Sequence, residues 1–288
     1  MTRAAPAASR GKGMLLLLLL PGLLAMSVTF FAPMLWLIRA SFSSSAFEAA
    51  SGADWTLDAY RAALLDPFYW RVAGNTLVLG LTVSLAAVVL SYPIALFLAR
   101  SNSRWRGLLT ALAVAPLLTS AVVRTYGWMV LLSDKGVINS LLMSWAWISA
   151  PLKLTNNSFG ATVALVEILM PYAILAMLSG FGRLNRQLEE AAAMLGASRP
   201  RIFWRIILPL SLPGVLTAAL LVFVLAISSF VTPRLMGGGR VFVLGTEVFS
   251  EATVTLNWPL AAALSVVLLV LFSSIIFLYQ RALRTLET

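Results

Sequence analysis

Long apolar runs dominate the chain and are separated by short polar stretches. The first, MLLLLLLPGLLAMSVTFFAPMLWLI at residues 14–38, follows a polar start that carries Arg3, Arg10 and Lys12. A basic start and a leucine run also open a secretory signal peptide. This run continues well past the roughly 7–15 residues of a signal-peptide core, so it reads as an uncleaved membrane span. Further runs predict spans at about 72–99, 107–132, 159–181, 211–236 and 259–281. Each could cross about 30 Å of hydrocarbon as a helix, the form that satisfies its own backbone polar groups in lipid. The expected fold class is an all-α membrane protein with six transmembrane helices. It is one domain over 14–281, between short tails at 1–13 and 282–288. Between the first two spans, DWTLDAYRAALLDP predicts a surface helix capped by Asp54 or Thr56 and stopped before Pro67. Leu57, Tyr60 and Leu64 fall on one face of it.

Composition supports this reading. The chain is 60% hydrophobic and only 11% charged, against about 25% charged residues in soluble domains; its mean hydropathy is +0.91. The net charge of +10 would suit nucleic acid in a soluble protein. Here the basic residues flank spans, so lipid is the expected surroundings and no nucleic-acid partner is implied. There is no cysteine and no histidine. That removes disulfides, the usual soft metal ligands and the usual proton shuttle, and no metal site or catalytic set is expected. With both termini in the cytoplasm, the inner segments hold Arg3, Arg10, Lys12, Arg100, Arg104, Arg106, Arg183, Arg186, Arg199, Arg201, Arg205, Arg281 and Arg284. Those are most of the 21 basic residues. The positive-inside rule therefore places 182–210 inside and the loops 39–71, 133–158 and 237–258 outside.

The inner loop between spans four and five contains EEAAAMLGASRPRIFWRIILPLSLP, residues 189–213. Residues 189–195 are strong helix formers. Gly196 suits a left-handed C-cap, Ser198 can cap a second helix with Pro200 in its first turn, and Pro209 is expected to break that helix before the fifth span. Taken alone, this could be an ordinary amphipathic loop. The spacing adds more: Glu190-Ala191-Ala192, three residues, Gly196, nine residues, then Ile206-x-Leu208-Pro209. It resembles the cytoplasmic signature of the integral-membrane subunits of binding-protein-dependent ABC importers, E-A-A-x(3)-G-x(9)-I-x-L-P, at every fixed position.

The resemblance implies a type I ABC importer permease fold with a cytoplasmic coupling-helix loop at 182–210. It makes Glu190 a polar contact to a partner ATPase and Gly196 the required bend. It makes Ala191 and Ala192 sites of close approach, and carries Ser198, Leu208 and Pro209 into the same coupling surface. It implies a second homologous permease forming a heterodimer, two copies of an ABC ATPase subunit and an external solute-binding protein, all at a bacterial inner membrane. No cofactor is expected on this chain, since it lacks G-x(4)-G-K-[ST]. ATP and Mg would be held by the ATPase partners. A narrower resemblance, to spermidine/putrescine-type permeases, rests on residues 55–77, 116–142, 230–238 and 257–264. Arg124-Thr125-Tyr126 and Gly136-x-Ile138-Asn139 are its most specific parts, and they are similar to the first of the two permeases such systems carry. A polyamine or related cation is the implied cargo. The same branch also serves opines, aminophosphonates and other small solutes.

Two ionisable residues stand out inside the predicted spans, Arg124 and Glu167. Arg124 and Glu167 each lie about 12 Å below the outer surface at about 1.5 Å per residue, and equal depth on consecutive antiparallel helices suggests an ion pair. Such a pair could simply hold two helices together. Alternatively Glu167, with Trp128, Tyr172 or Phe230, could contact a cationic solute through its carboxylate and aromatic faces. Ser228 and Ser229 could line a pore or hydrogen-bond to the preceding turn. Trp36, Trp70, Trp105 and Trp258 read as interfacial anchors, and Gly237–Gly239 reads as a flexible turn. A secondary transporter would instead need coupling carboxylates or histidines and usually inverted repeats. One intramembrane glutamate and no visible repeat argue against it, and no nucleophile–base set supports a membrane enzyme.

Overall fold

The computed structural model describes residues 8–45, 55–101 and 103–287. Arg3 and most of the N-terminal tail lie outside the described residues, as does the candidate cap Asp54. Helix α1 spans Ala8–Ala40, α2 Asp58–Leu65, α3 Pro67–Arg100, α4 Arg106–Val114, α5 Ala121–Leu132 and α6 Val137–Ser144. They are followed by α7 Ser158–Gly180, α8 Arg186–Met194, α9 Arg199–Ile202, α10 Leu208–Ser228, α11 Val231–Gly237, α12 Leu244–Thr253 and α13 Trp258–Glu287. No strand occurs among the described residues. Five stretches are long and apolar enough to cross a membrane: Leu18–Ala40, Pro67–Arg100, Ser158–Gly180, Arg199–Ser228 and Trp258–Arg281. Two further pieces, Arg106–Leu118 and Ala121–Ser144, are together apolar enough for a sixth crossing and are bent by 94° at their junction, the form of a broken span or a re-entrant loop.

That bend corrects the expectation of one continuous third span over 107–132. Pro116 sits in a 3-10 turn over Ala115–Leu118, and Thr119 then turns extended at φ −105°, ψ 139°. A proline there lacks the N–H that an α-helix would use and its ring crowds the preceding turn. The fifth span is corrected too. It ends at Ser228 rather than 236, because Ser229 is extended and a separate helix, α11, starts at Val231. In a continuous helix the Ser229 carbonyl would need the N–H of residue 233, which is Pro233. The caps of α2 also differ from expectation. Its N-cap is Leu57 without a side-chain bond, and the Thr56 hydroxyl is buried without a partner.

Helices α3, α7 and α10 pack against one another as the core. Small residues permit it: Ala87, Ala95, Ala164, Ala173 and Ala218 are fully buried. Lipid is as apolar as leucine, so close contact and interhelical hydrogen bonds rather than water exclusion hold such helices together. The Ser84 hydroxyl donates to the Ala219 carbonyl at 2.7 Å, and the Ser91 hydroxyl to the Met170 carbonyl at 3.3 Å. Where α7 meets α10, a Cβ on Gly180 would lie 2.4 Å from the Gly214 Cα. Among the described elements α1 touches only α13, with Trp36 edge-on to Trp258 at 6.4 Å.

Substituting Gly180→Ala should therefore cost about 1–3 kcal/mol through overpacking. Gly74→Ala, where an added Cβ meets nothing within 4 Å, should be neutral or stabilising by up to about 1 kcal/mol. Thermal unfolding in detergent reads the difference; equal midpoints would contradict the close crossing.

Candidate functional site

Two polar constructions stand out, one at membrane depth and one at the end of the bundle where α7 gives way to α8. The first sits where the third span breaks. Arg124, in the first turn of α5, points its guanidinium back across the break. Nη1 donates to the Pro116 carbonyl at 3.1 Å, an oxygen that also accepts from the Thr119 N–H. Nε and Nη2 donate to Glu167 Oε2 and Oε1 at 3.2 and 2.6 Å. Nη2 also donates to the Glu167 backbone carbonyl at 3.0 Å. That carbonyl is open for a reason written in the sequence: its helical donor would be residue 171, which is Pro171. One arginine thus satisfies backbone acceptors beside two prolines and forms a two-pronged ion pair.

The Glu167 carboxylate accepts both guanidinium contacts and the Trp128 indole N–H at 3.2 Å. Only 11% of the Arg124 side chain is exposed, and 34% of that of Glu167. The charge of the carboxylate is thus already balanced by Arg124. Next to the pair, the buried Thr125 shares a hydrogen bond of 3.0 Å with Thr232 and so ties α5 to α11. The structure brings together Arg124, Glu167 and Trp128, but Tyr172 and Phe230 do not join them through any polar contact. Tyr172 makes no hydrogen bond or ring contact among the described residues. Phe230 stacks on Phe249 at 5.1 Å, and the Arg234 guanidinium lies 4.4 Å over the same Phe249 ring. On that helix the Glu247 carboxyl is pushed above its usual range by burial first and by the Glu251 charge second. The Ser228 hydroxyl bonds back to the Val224 and Leu225 carbonyls.

The second construction is the loop after α7. Asn185 caps α8, accepting the Gln187 N–H at 2.9 Å. Helix α8 ends in a Schellman turn: the Gly196 N–H reaches the Ala193 carbonyl and the Ala197 N–H reaches the Ala192 carbonyl, each at 3.0 Å. Gly196 has φ +81°, a left-handed conformation that glycine takes without strain. Ser198 occupies the N-cap of α9, yet its hydroxyl makes no capping bond. Pro209 does not break the helix as the sequence suggested. The chain runs on from Arg199 to Ser228 because a π-helical turn at Phe203–Ile207 widens the ladder ahead of it. Glu190, Ala191, Gly196, Ser198 and Pro209 are exposed, whereas Ala192 and Leu208 are half-buried.

Residues with no fixed place in the motif contribute as much. Glu189 turns inward and forms an ion pair with Arg100, the last residue of α3. Met194 and Leu195 are 90% and 89% exposed, an apolar tip projecting from the bend. The pairing of Glu189 could not be seen in the sequence, because its partner lies far away in the chain. Met194 and Leu195 fill the variable gap of the motif, and their apolar character inside a polar loop was the available signal.

Comparison with known proteins adds the following. Residues 91–286 match the family model described as "Binding-protein-dependent transport system inner membrane component". The chain is 34% identical to the spermidine/putrescine transport system permease protein PotB of Haemophilus influenzae, over 93% of this chain and 90% of that protein. It is 35% identical to PotB of Escherichia coli, over 89% and 93%. In structure it is similar to a chain of a bacterial ABC transporter involved in the import of the acidic polysaccharide alginate. The TM-score is 0.77 at 18% identity, covering 97% of this chain and 98% of that one. An inward-facing chain of the MetNI methionine ABC transporter gives 0.57 at 19% identity, covering 76% and 98%.

Two outcomes follow from the geometry. Arg124→Ala removes the ion-pair partner of the Glu167 carboxylate and the donor to its backbone carbonyl and should destabilise the chain by about 3–5 kcal/mol. Glu167→Gln keeps both backbone contacts of Arg124 and should cost clearly less. An exchange of the two charges should restore little, since glutamate cannot donate to carbonyls; thermal unfolding in detergent ranks the three, and full restoration would exclude the backbone role. At the loop, Arg100→Glu should loosen α8 from α3, and Arg100→Glu combined with Glu189→Arg should re-anchor it. Protease sensitivity around residues 182–198 reads both, and unchanged cleavage in the single variant would count against the anchor.

Proposed function

Since this chain belongs to the family of binding-protein-dependent transport system inner membrane components, a group of multi-pass inner-membrane proteins, we propose that it forms half of the translocation pathway of an ATP-driven importer and carries no ATPase of its own. The observation that supports this reading best is the exposed bend around Gly196. Two short helices meet there, presenting Glu190, Ala191, Met194 and Leu195 outward, while Glu189 ties the first of them to the end of α3. Such a surface suits the groove of a nucleotide-binding subunit: an apolar tip to bury, a carboxylate to orient it and alanines that let backbones approach. In this reading the loop lies in the cytoplasm with both chain termini. A second, related permease completes the pathway, two ATPase subunits bind ATP and Mg, and an external binding protein delivers the solute.

The cargo is proposed to be a polyamine such as putrescine or spermidine. The support is the similarity to PotB permeases over about nine-tenths of each chain. Glu167 is assigned to the helix clamp rather than to the cargo, because its carboxylate oxygens are already occupied by Arg124 and Trp128. Movement of the ATPases would pass from α8 into α3 through Glu189 and Arg100 and into α10 through the unbroken Arg199–Ser228 segment.

Co-expression with its candidate ATPase subunit tests this directly. The wild type should co-purify with the ATPase in detergent, and Glu190→Lys or Leu195→Asp should reduce recovery by about tenfold or more, as expected for losing a central interface residue. Failure of the wild type to retain any ATPase would overturn the importer reading. Solute-stimulated ATP hydrolysis with a panel of polyamines, opines and aminophosphonates then decides the cargo.

A further inference from the structure

A cleft of about 700 Å³ opens at the end of the bundle opposite the coupling loop, where α7 begins. Three separate segments supply its walls: residues 133–135, residues 153–157 and Arg240. Three exposed cations line it, Lys135, Lys153 and Arg240, with Asp134 the one acidic residue. None of the three cations has an ion-pair partner among the described residues. Lysine and arginine are the residues that outer loops of membrane proteins tend to lack. Three of them gathered from distant parts of the chain into one concavity therefore require a reason.

The cleft is built rather than accidental. Asn139 is fully buried, and its side chain bonds to three backbone groups. It donates to the Ser133 and Leu152 carbonyls at 3.1 and 3.0 Å and accepts the Leu152 N–H at 2.8 Å. That single amide clamps the two ends of the loop that carries Lys135 and Lys153. Asn157 caps α7 by accepting the Gly160 N–H at 2.8 Å and donates to the Lys153 carbonyl at 2.6 Å. On the far wall Gly238 is pressed against Asn156, where a Cβ would fall 2.3 Å from Oδ1. This brings the Arg240 segment to the same rim. The positive charges are thus held on a fixed frame. A cationic solute would be repelled there, so the cleft is not an entrance for such cargo. At about 700 Å³ it is also too roomy for one small anion, and it leaves room for several carboxylates of a folded surface.

We propose that this cleft is the docking site for an acidic patch on the external solute-binding protein, with Lys135, Lys153 and Arg240 steering its approach and fixing its orientation. This rests on the importer reading above, which places the cleft outside. Charges at the rim of an interface act mainly on association rate and salt dependence. The expected effect is therefore on the concentration of binding protein needed and not on the turnover of the docked complex.

The test uses the complete transporter in nanodiscs, with the solute-binding protein encoded with it, loaded with solute, and ATP hydrolysis as the readout. The triple variant Lys135→Glu/Lys153→Glu/Arg240→Glu should require about tenfold more binding protein for half-maximal stimulation at low salt. Its maximal rate should be unchanged, and the gap to wild type should shrink as salt screens the charges. Reversing acidic residues on the binding protein should weaken the wild type and rescue the variant. A triple variant indistinguishable from wild type at low salt overturns the proposal. So does an effect that occurs only in discs containing anionic lipid, which would assign the cleft to the membrane surface. A wild type that no binding protein stimulates, even though it retains its ATPase, overturns the delivery step itself rather than the choice of residues.

Discussion

Inside hydrocarbon, no backbone carbonyl or N–H can turn to water, and much of this structure answers to that constraint. A proline in a span leaves an acceptor without its donor, and an interrupted helix leaves several. Here one guanidinium serves the Glu167 carbonyl that Pro171 leaves without a donor and shares the Pro116 carbonyl at the break with the Thr119 N–H. Arg124 is the right side chain for this, since its planar group presents five donors in a fixed fork and stays charged. Glu167 neutralises that charge, and the Trp128 indole completes the carboxylate. The charge pair and the broken span therefore depend on each other. Without the pair the break would be too costly, and without the break Arg124 would lack a reason to lie there.

The break in turn shapes the rest of the bundle. With the third span folded at 94°, its second half packs against α7 through Arg124 and Glu167 and against α11 through Thr125 and Thr232. The core is left to α3, α7 and α10, which approach closely at alanines and at the Gly180–Gly214 crossing. All three of these helices meet the loop that follows α7. Helix α7 leads into it, α3 ends at Arg100, which pairs with Glu189, and α10 continues from α9 through a π-turn without a stop. The bend at Gly196 is thus joined to each core helix.

Much of this was legible in the chain itself. Apolar runs identify membrane helices because a span must be apolar along its whole length. The two short helices bent at Gly196 were readable too, since helix formers, a left-handed glycine and a second start signal leave few alternatives over so short a distance, although Ser198 makes no capping bond and Pro209 does not end the helix. The breaks were not readable. Pro93, Pro171 and Pro213 lie inside continuous helices, whereas Pro116 and Pro233 accompany interruptions. A proline alone does not distinguish the two cases; at Pro171 a donor from another helix, Arg124, meets the freed carbonyl. Pro209 shows the same limit from the other side: a π-turn carried the helix past it.

The sequence by itself determined an all-helical membrane protein, two short helices bent at Gly196 and the presence of two charges inside the spans. Those features depend on local composition and spacing. Tertiary structure alone decided that Glu167 pairs with Arg124 and Trp128, that Glu189 faces inward while Glu190 faces out, and that Lys135, Lys153 and Arg240 share one cleft. Each of those depends on which distant residue arrives within hydrogen-bonding or contact distance, and chain order carries no record of that.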